Sequence, residues 1–418
     1  MKKEIILYAL STAISKGSIL LFFPFLTTLL SLEDFGKWSL TIIVANLLVP
    51  IMSLNGSASI LREGSANQNI SLIILRYFIF VTLIIGAISI IFITTVQLET
   101  WIQYSVLIAL GEAIILIYLT YVRTQEQAWK YFIINLIKTF VLFLLIIYAN
   151  HNKFGLNEIL YYHSFIVGLF ACFIIFTALL KHYVEHSISF MPILLFSIML
   201  IPHGISQWII SSSDRIILEN MLGSTSVGVY SLAYNIALVL MLVNSGIALS
   251  LPTYMIKNFK KWKSEDYDNK FMKYYTIMSI VIFLFLLIAY RLDMLYFRIL
   301  GYYEVEMIPL IIIIYISIYV LGLYYFYANY LFYHKRAAII SMITFYAAFL
   351  NIILTILLTF LFGIIGTALS TLIAYIFYLY KIRRETMKIE SSLNILLLKN
   401  INLFSISIAL ITLGYYYV

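Results

Sequence analysis

Long apolar runs, broken by short polar segments, set the pattern of this chain. A helix needs about 20 mostly apolar residues to cross a hydrocarbon core about 30 Å thick, at a rise of about 1.5 Å per residue. By that ruler, spans fall near residues 5–30, 38–60, 72–96, 101–121, 131–149 and 159–180. A second set falls near 193–214, 229–252, 275–290, 308–333, 337–361, 364–380 and 400–418. The ninth of these thirteen runs is short and the last closes the sequence. The pattern predicts an all-α polytopic membrane protein of about 12–13 transmembrane helices. The first run follows Met-Lys-Lys-Glu and has no small-residue cleavage site, so it reads as a retained signal-anchor.

Composition agrees with the pattern and narrows function. Hydrophobic residues make up 63% of the chain and charged residues 11%, with a mean hydropathy of +1.00. Soluble domains are about 45–50% apolar and about a quarter charged, so a soluble enzyme, a disordered protein and a nucleic-acid binder are excluded. The net charge of +8 instead reads as topology. With the N-terminus cytoplasmic, 20 of the 27 Lys and Arg residues fall in cytoplasmic segments, 5 on the opposite side and 2 (Lys16 and Lys138) inside spans. That bias follows the positive-inside rule. Trp38, Trp101 and Trp129 sit at expected span ends, suited to an interfacial belt. The longest expected loop, 253–274, is rich in lysine. The single cysteine, Cys172, lies in an apolar run, which leaves no disulfide framework and no thiolate metal site. No Walker A loop, HExxH, Gly-x-Ser-x-Gly or Cys/His cluster occurs, so the chain reads as a non-enzyme with no metal and no cofactor.

An internal repeat is legible. Leu30–Leu40 and Leu222–Leu232 share a leucine followed by Gly-x-Trp/Tyr-Ser-Leu at a constant offset of 192. A weaker echo, at an offset of 208, pairs Phe154-Gly155-Leu156 with Phe362-Gly363-Ile364. Six spans per unit is an even number, so the repeat is parallel about an axis along the membrane normal. The expected domains are a six-helix lobe over 1–190, a second over 191–385, and an extension over 386–418 with a possible extra span. Pro24, Pro50, Pro202 and Pro252 fall in corresponding spans of the two lobes and are hinge candidates, because proline removes an intrahelical hydrogen bond. Ordinary tolerance of transmembrane proline is the alternative.

Charges at bilayer depth are expensive and mark candidate sites. Lys16, Lys138 and Glu112 lie inside expected spans of the first lobe, which makes it polar and net cationic. The lysines are candidate anion-binding residues, with Arg215 and with Arg62, for which snorkelling or a salt bridge to Glu63 is the alternative, and Glu112 and Asp214 are candidate coupling residues. Ion pairing without substrate contact is the competing reading for Glu112 and the lysines. Asp214 and Arg215 end the seventh expected span, where capping or anchoring is an equal alternative.

Several motifs resemble the polysaccharide flippases of the MOP superfamily, nearest to the Wzx-type O-antigen flippases. They are Phe35-Gly36-Lys37-Trp38-Ser39-Leu40, Asn55-Gly56-Ser57-Ala58 through Arg62-Glu63, Ser213-Asp214-Arg215 into Gly228-Val229-Tyr230-Ser231-Leu232, and Phe362-Gly363-Ile364-Ile365-Gly366-Thr367-Ala368-Leu369. The resemblance runs over nearly the whole chain through short motifs. It implies two six-helix lobes around a central cavity. It also implies alternating-access translocation of an undecaprenyl-pyrophosphate-linked oligosaccharide across the bacterial inner membrane, for O-antigen, lipopolysaccharide or a related surface polysaccharide. An H+ or Na+ gradient is the candidate drive, and a polysaccharide polymerase and a chain-length regulator are the candidate protein partners. Two other readings stay open: a multidrug or organic-cation exporter of the same superfamily, and, less favoured, a membrane glycan polymerase.

Overall fold

The computed structural model describes residues 2–181, 189–257, 267–293, 307–334, 336–389 and 394–417. Among them every regular element is helical. The helices are α1 (Lys2–Leu29), α2 (Leu32–Met52), α3 (Gly56–Ala66), α4 (Gln68–Thr95), α5 (Thr100–Thr124), α6 (Ala128–Asn152) and α7 (Leu156–Leu180). They continue as α8 (Phe190–Met199), α9 (Ile201–Leu222), α10 (Ser224–Lys257), α11 (Tyr267–Leu292), α12 (Met307–Tyr333), α13 (Ala337–Met387) and α14 (Asn394–Tyr417). Ten described segments are long and apolar enough to cross a membrane, and one of these, 338–387, is long enough for two crossings. The chain is a multi-pass, all-helical membrane protein.

Side-chain distribution is inverted relative to a soluble protein. Along the first arm of α13, Phe345, Phe349, Ile353, Leu357 and Phe360 are exposed, while Thr344, Ala348, Asn351, Thr355 and Thr359 are buried on the opposite face. An apolar stripe of that size would aggregate in water but suits lipid, where small and polar residues form the helix contacts.

Two compact units divide the chain: Met1–Trp208 with Gly223–Gly228, and Ile209–Leu222 with Val229–Val418. In the first, α5 is the central helix and touches α2, α3, α4, α6 and α7, while α1 lies along α6. Close approach needs glycine: a Cβ on Gly111 would overlap Val167 of α7, and one on Gly86 would overlap Leu110. The repeat motif makes a reciprocal contact in this unit. A Cβ on Gly36 would overlap the carbonyl oxygen of Ser224, and a Cβ on Gly228 would overlap that of Leu32. Positions 32 and 224, like 36 and 228, keep the 192-residue offset, so the repeat in the sequence is also a repeat in packing.

In the second unit, α12 packs on α13 and α11 on α14. Phe404 fastens α14, stacking on Tyr319 with ring centroids 3.6 Å apart, and Tyr319 stacks in turn on Tyr275. The arms of α13 reverse at Gly363, which holds φ 60° and ψ −141°, a conformation open mainly to glycine. Polar rungs then close the hairpin: Thr359 to Thr367 at 2.7 Å, Thr355 to Ser370 at 2.8 Å and Thr344 to Tyr378 at 2.8 Å. In the echo loop, Gly155 has an ordinary φ of −78° and Lys153 takes the left-handed position instead (φ 55°). That pair is alike in sequence but not in backbone conformation.

Several expectations need correction. The apolar run 38–60 is not one helix: Leu54 and Asn55 adopt φ 44° and 53°, so α2 stops at Met52 and α3 starts at Gly56. Pro50 therefore lies beside the end of α2 rather than kinking a continuous span. Pro202 occupies the second position of α9, just past the break at Leu200, where a missing N–H is tolerated. Pro24 lies inside a continuous α1, and the hydroxyls of Thr27 and Thr28 donate to its carbonyl. Pro252 lies within α10, and its side chain is outside the described residues. The long loop shrinks, because α10 runs to Lys257 and α11 starts at Tyr267; residues 258–266, with Trp262, lie outside the described ones. Trp38 is buried against Phe35, two turns into α2, rather than interfacial. Trp101 matches its expected place, donating to Glu99 at 2.6 Å, and Trp129 is exposed.

Candidate functional site

Each unit carries an ion pair in its helical body. In the first, Lys138 of α6 donates to both carboxylate oxygens of Glu112 of α5, each at 2.8 Å. The side chains retain 12% and 27% of their exposure, so the pair is largely withdrawn from solvent. A two-oxygen contact gives an ammonium a fixed position and neutralises the carboxylate. His163 of α7 stands within electrostatic reach of both groups. Lys16 is on α1, the helix that lies along α6, but its side chain is outside the described residues. Arg62 joins neither group. It lies on α3, more than half exposed, 3.0 Å from Glu63 and 4.2 Å above the Phe196 ring.

In the second unit, Asp214 and Arg215 are almost wholly buried, with side chains 1% and 5% exposed. The expected span ended at Asp214, whereas α9 continues to Leu222 and encloses both residues. They are not terminal anchors. Asp214 accepts from the hydroxyl of Tyr230 at 2.7 Å, from that of Thr371 at 3.4 Å, and from the Arg215 backbone N–H at 2.9 Å. Its Oδ1 lies 3.5 Å from the Arg215 guanidinium. Arg215 also lies over the Tyr234 ring at 4.0 Å, a cation–π contact strengthened by burial, and its Nε has no partner. Tyr230 and Tyr234 follow at one-turn spacing on α10 and present one aromatic face to the pair. The motif containing Tyr230 was visible in the repeat, and the family resemblance carried it together with Asp214, but nothing in the sequence predicted the hydrogen bond between them. On the first arm of α13, Asn351 is fully buried and neither atom of its amide has a hydrogen-bond partner.

Among the described residues, no group of three or more His, Cys, Asp or Glu is placed to hold a metal. What the two clusters offer is paired charge, aromatic faces and hydroxyls.

Comparison with solved structures gives the fold. An inward-facing MATE family transporter of the MOP superfamily aligns with TM-score 0.65 and 12% identity over 90% of this chain and 96% of that one. An outward-facing one aligns at 0.61 and 14%, covering 94% and 96%. This chain has the MATE-transporter fold. A third structure with the MATE-like fold is a MOP superfamily transporter from Pyrococcus furiosus, whose binding pocket is described as having reverse polarity that suggests a different function (TM-score 0.59, 14% identity, 94% and 96% covered). No protein-family model and no curated protein matches the sequence.

Proposed function

We propose that this MATE-fold chain is a transporter for an anionic lipid-linked glycan. Its substrate is an undecaprenyl-pyrophosphate-linked oligosaccharide, carried by alternating access across the bacterial inner membrane for O-antigen or a related surface polysaccharide. One observation carries the choice of sign: Glu112 and Asp214 are each already engaged by a cation of the chain itself. An organic cation needs an uncompensated carboxylate, which neither group supplies while paired. A diphosphate instead competes for Lys138, and Arg215 keeps a donor in reserve at its Nε. Lys16 adds a second span-interior cation to the first unit and Arg62 an exposed one. In this reading the N-terminus is cytoplasmic, an ion gradient drives the cycle, and a polymerase and a chain-length regulator act on the delivered product.

The MATE neighbours favour a second reading, a multidrug exporter. Deleting the gene separates the two. Loss of surface glycan, with single lipid-linked repeat units held in the cytoplasmic leaflet, is the expected result, and Lys138→Ala should reproduce it while still inserting. Unchanged glycan with raised sensitivity to cationic drugs would replace the flippase with the exporter. Repeat units that cross but stay unpolymerised would indicate a polymerase.

A further inference from the structure

The outward face of α14 carries polar groups at a depth where lipid would have to cover them. Phe404 and Ile408 are buried on the inner face, where α14 packs on α11 and Phe404 stacks on Tyr319. Tyr319 is next to the midpoint of α12 (Met307–Tyr333), which puts Phe404 at about mid-bilayer depth. Asn402, two residues before Phe404, is about 3 Å from that depth and on the opposite side of the helix. Ser405 and Ala409 follow Asn402 at offsets of three and seven, and all three are exposed. Among the described residues, neither the Asn402 amide nor the Ser405 hydroxyl has a hydrogen-bond partner. Leu403, Ile406 and Leu410 flank them and are also exposed. The first arm of α13 shows the opposite order, with Phe345, Phe349 and Ile353 outward and Thr344, Asn351 and Thr355 inward. An amide left in hydrocarbon without a partner is costly, and asparagine is too short to reach the interface from mid-bilayer.

Topology says what can cover this face. Two copies of one chain insert with the same orientation, so a two-fold axis between them stands along the membrane normal. A helix beside that axis meets its own copy in parallel, like residue against like. An amide is donor and acceptor at once and can pair with its own kind. Spacings of three and four set Asn402, Ser405 and Ala409 on one seam of a left-handed helix pair, where small residues let the backbones approach. A single asparagine on such a seam fixes register and oligomer state. We propose that α14 joins two copies of this chain in the membrane, Asn402 to Asn402, with Ser405 and Ala409 packed along the same seam. The pairing does not depend on what the protein transports.

Two measurements on the full-length protein test the pairing. In vesicles of phosphatidylethanolamine and phosphatidylglycerol, single-molecule photobleaching of the labelled chain counts copies as protein is diluted into lipid. Wild type is expected to pair, and Asn402→Leu to raise the dissociation constant about tenfold, the worth of a strong interhelical hydrogen bond. Phe349→Leu, on the lipid-facing arm of α13, is expected to leave it unchanged. In native membranes, and with the exposed Cys172 replaced by serine, Ser405→Cys is expected to give a disulfide-linked dimer under mild oxidation and Ile353→Cys none. Ala409→Cys serves if the Ser405 variant does not insert. Wild type that stays monomeric at every dilution, or Asn402→Leu that pairs as tightly as wild type, would overturn the proposal. Equal cross-linking at positions 405 and 353 would mark random collision and overturn it as well. Ser405→Cys chains that link to another protein and not to each other would give the face to a different partner and refute the pairing of two copies.

Discussion

Breaking the Lys138–Glu112 pair from one side should cost more stability than removing it altogether. At 2.8 Å and an effective dielectric of about 20, the gross attraction is about 6 kcal/mol, most of it offset by the desolvation of both groups. Their net worth as a pair is therefore small, but either charge left alone is costly. Removing one partner of a buried pair typically costs about 3–5 kcal/mol. Glu112 keeps 27% of its side-chain exposure, so Lys138→Met should fall at the lower end, about 3 kcal/mol. Glu112→Gln strands the ammonium of Lys138, whose side chain is only 12% exposed, and should cost at least as much. The double variant holds no charge and should lose less than about 1 kcal/mol, a coupling well above the ~0.5 kcal/mol scatter of independent sites. Equilibrium unfolding in mixed micelles, followed by tryptophan fluorescence, measures all four species. Single losses that simply add in the double variant would refute the argument and show that the two groups are stabilised by other surroundings.

Four further substitutions test packing and polarity. Gly36→Ala and Gly228→Ala each force a methyl group into a backbone carbonyl and should cost about 1–3 kcal/mol, whereas Gly246→Ala, with open space around it, should be nearly silent in the same unfolding assay. Asn351→Leu removes a buried amide with neither atom bonded and should stabilise by about 1–3 kcal/mol. A loss of stability would show that the amide is satisfied, and a stabilised protein that no longer transports would assign it a role in the cycle.

Span length was legible in the sequence because the bilayer imposes it, and residues 337–387 illustrate both the strength and the limit of that signal. Phe362-Gly363-Ile364 was readable as a break, and Gly363 makes the turn. The same hydropathy hid the break at Leu54 and Asn55, because an apolar run reports length and not φ. Asp214 and Arg215 were misplaced for a related reason. Ser211 through Arg215 resembles the polar end of a span, yet it is polar because tyrosines and a threonine from α10 and α13 close over it. The Glu112–Lys138 pair was among the alternatives set by the sequence, since two opposite charges at bilayer depth have strong reason to meet.

Under the proposed function, these placements bear on how the charge pairs of a helix bundle select the sign of a substrate. A helix bundle in lipid keeps an ionised carboxylate only where a cation compensates it, and that cation comes either from the chain or from the substrate. Where the substrate supplies it, the carboxylate stands open and selects organic cations. Here the chain supplies it twice, through Lys138 and Arg215, and under the proposed flippase function the exchangeable partner of each cation is an anion. The two pairs differ in how easily they release. Lys138 is a flexible point charge on a partly exposed carboxylate, whereas Arg215 lies against the Tyr234 ring beside a carboxylate that Tyr230 also holds. The lysine is therefore the cation suited to leave and return during a cycle, and the arginine the one suited to stay.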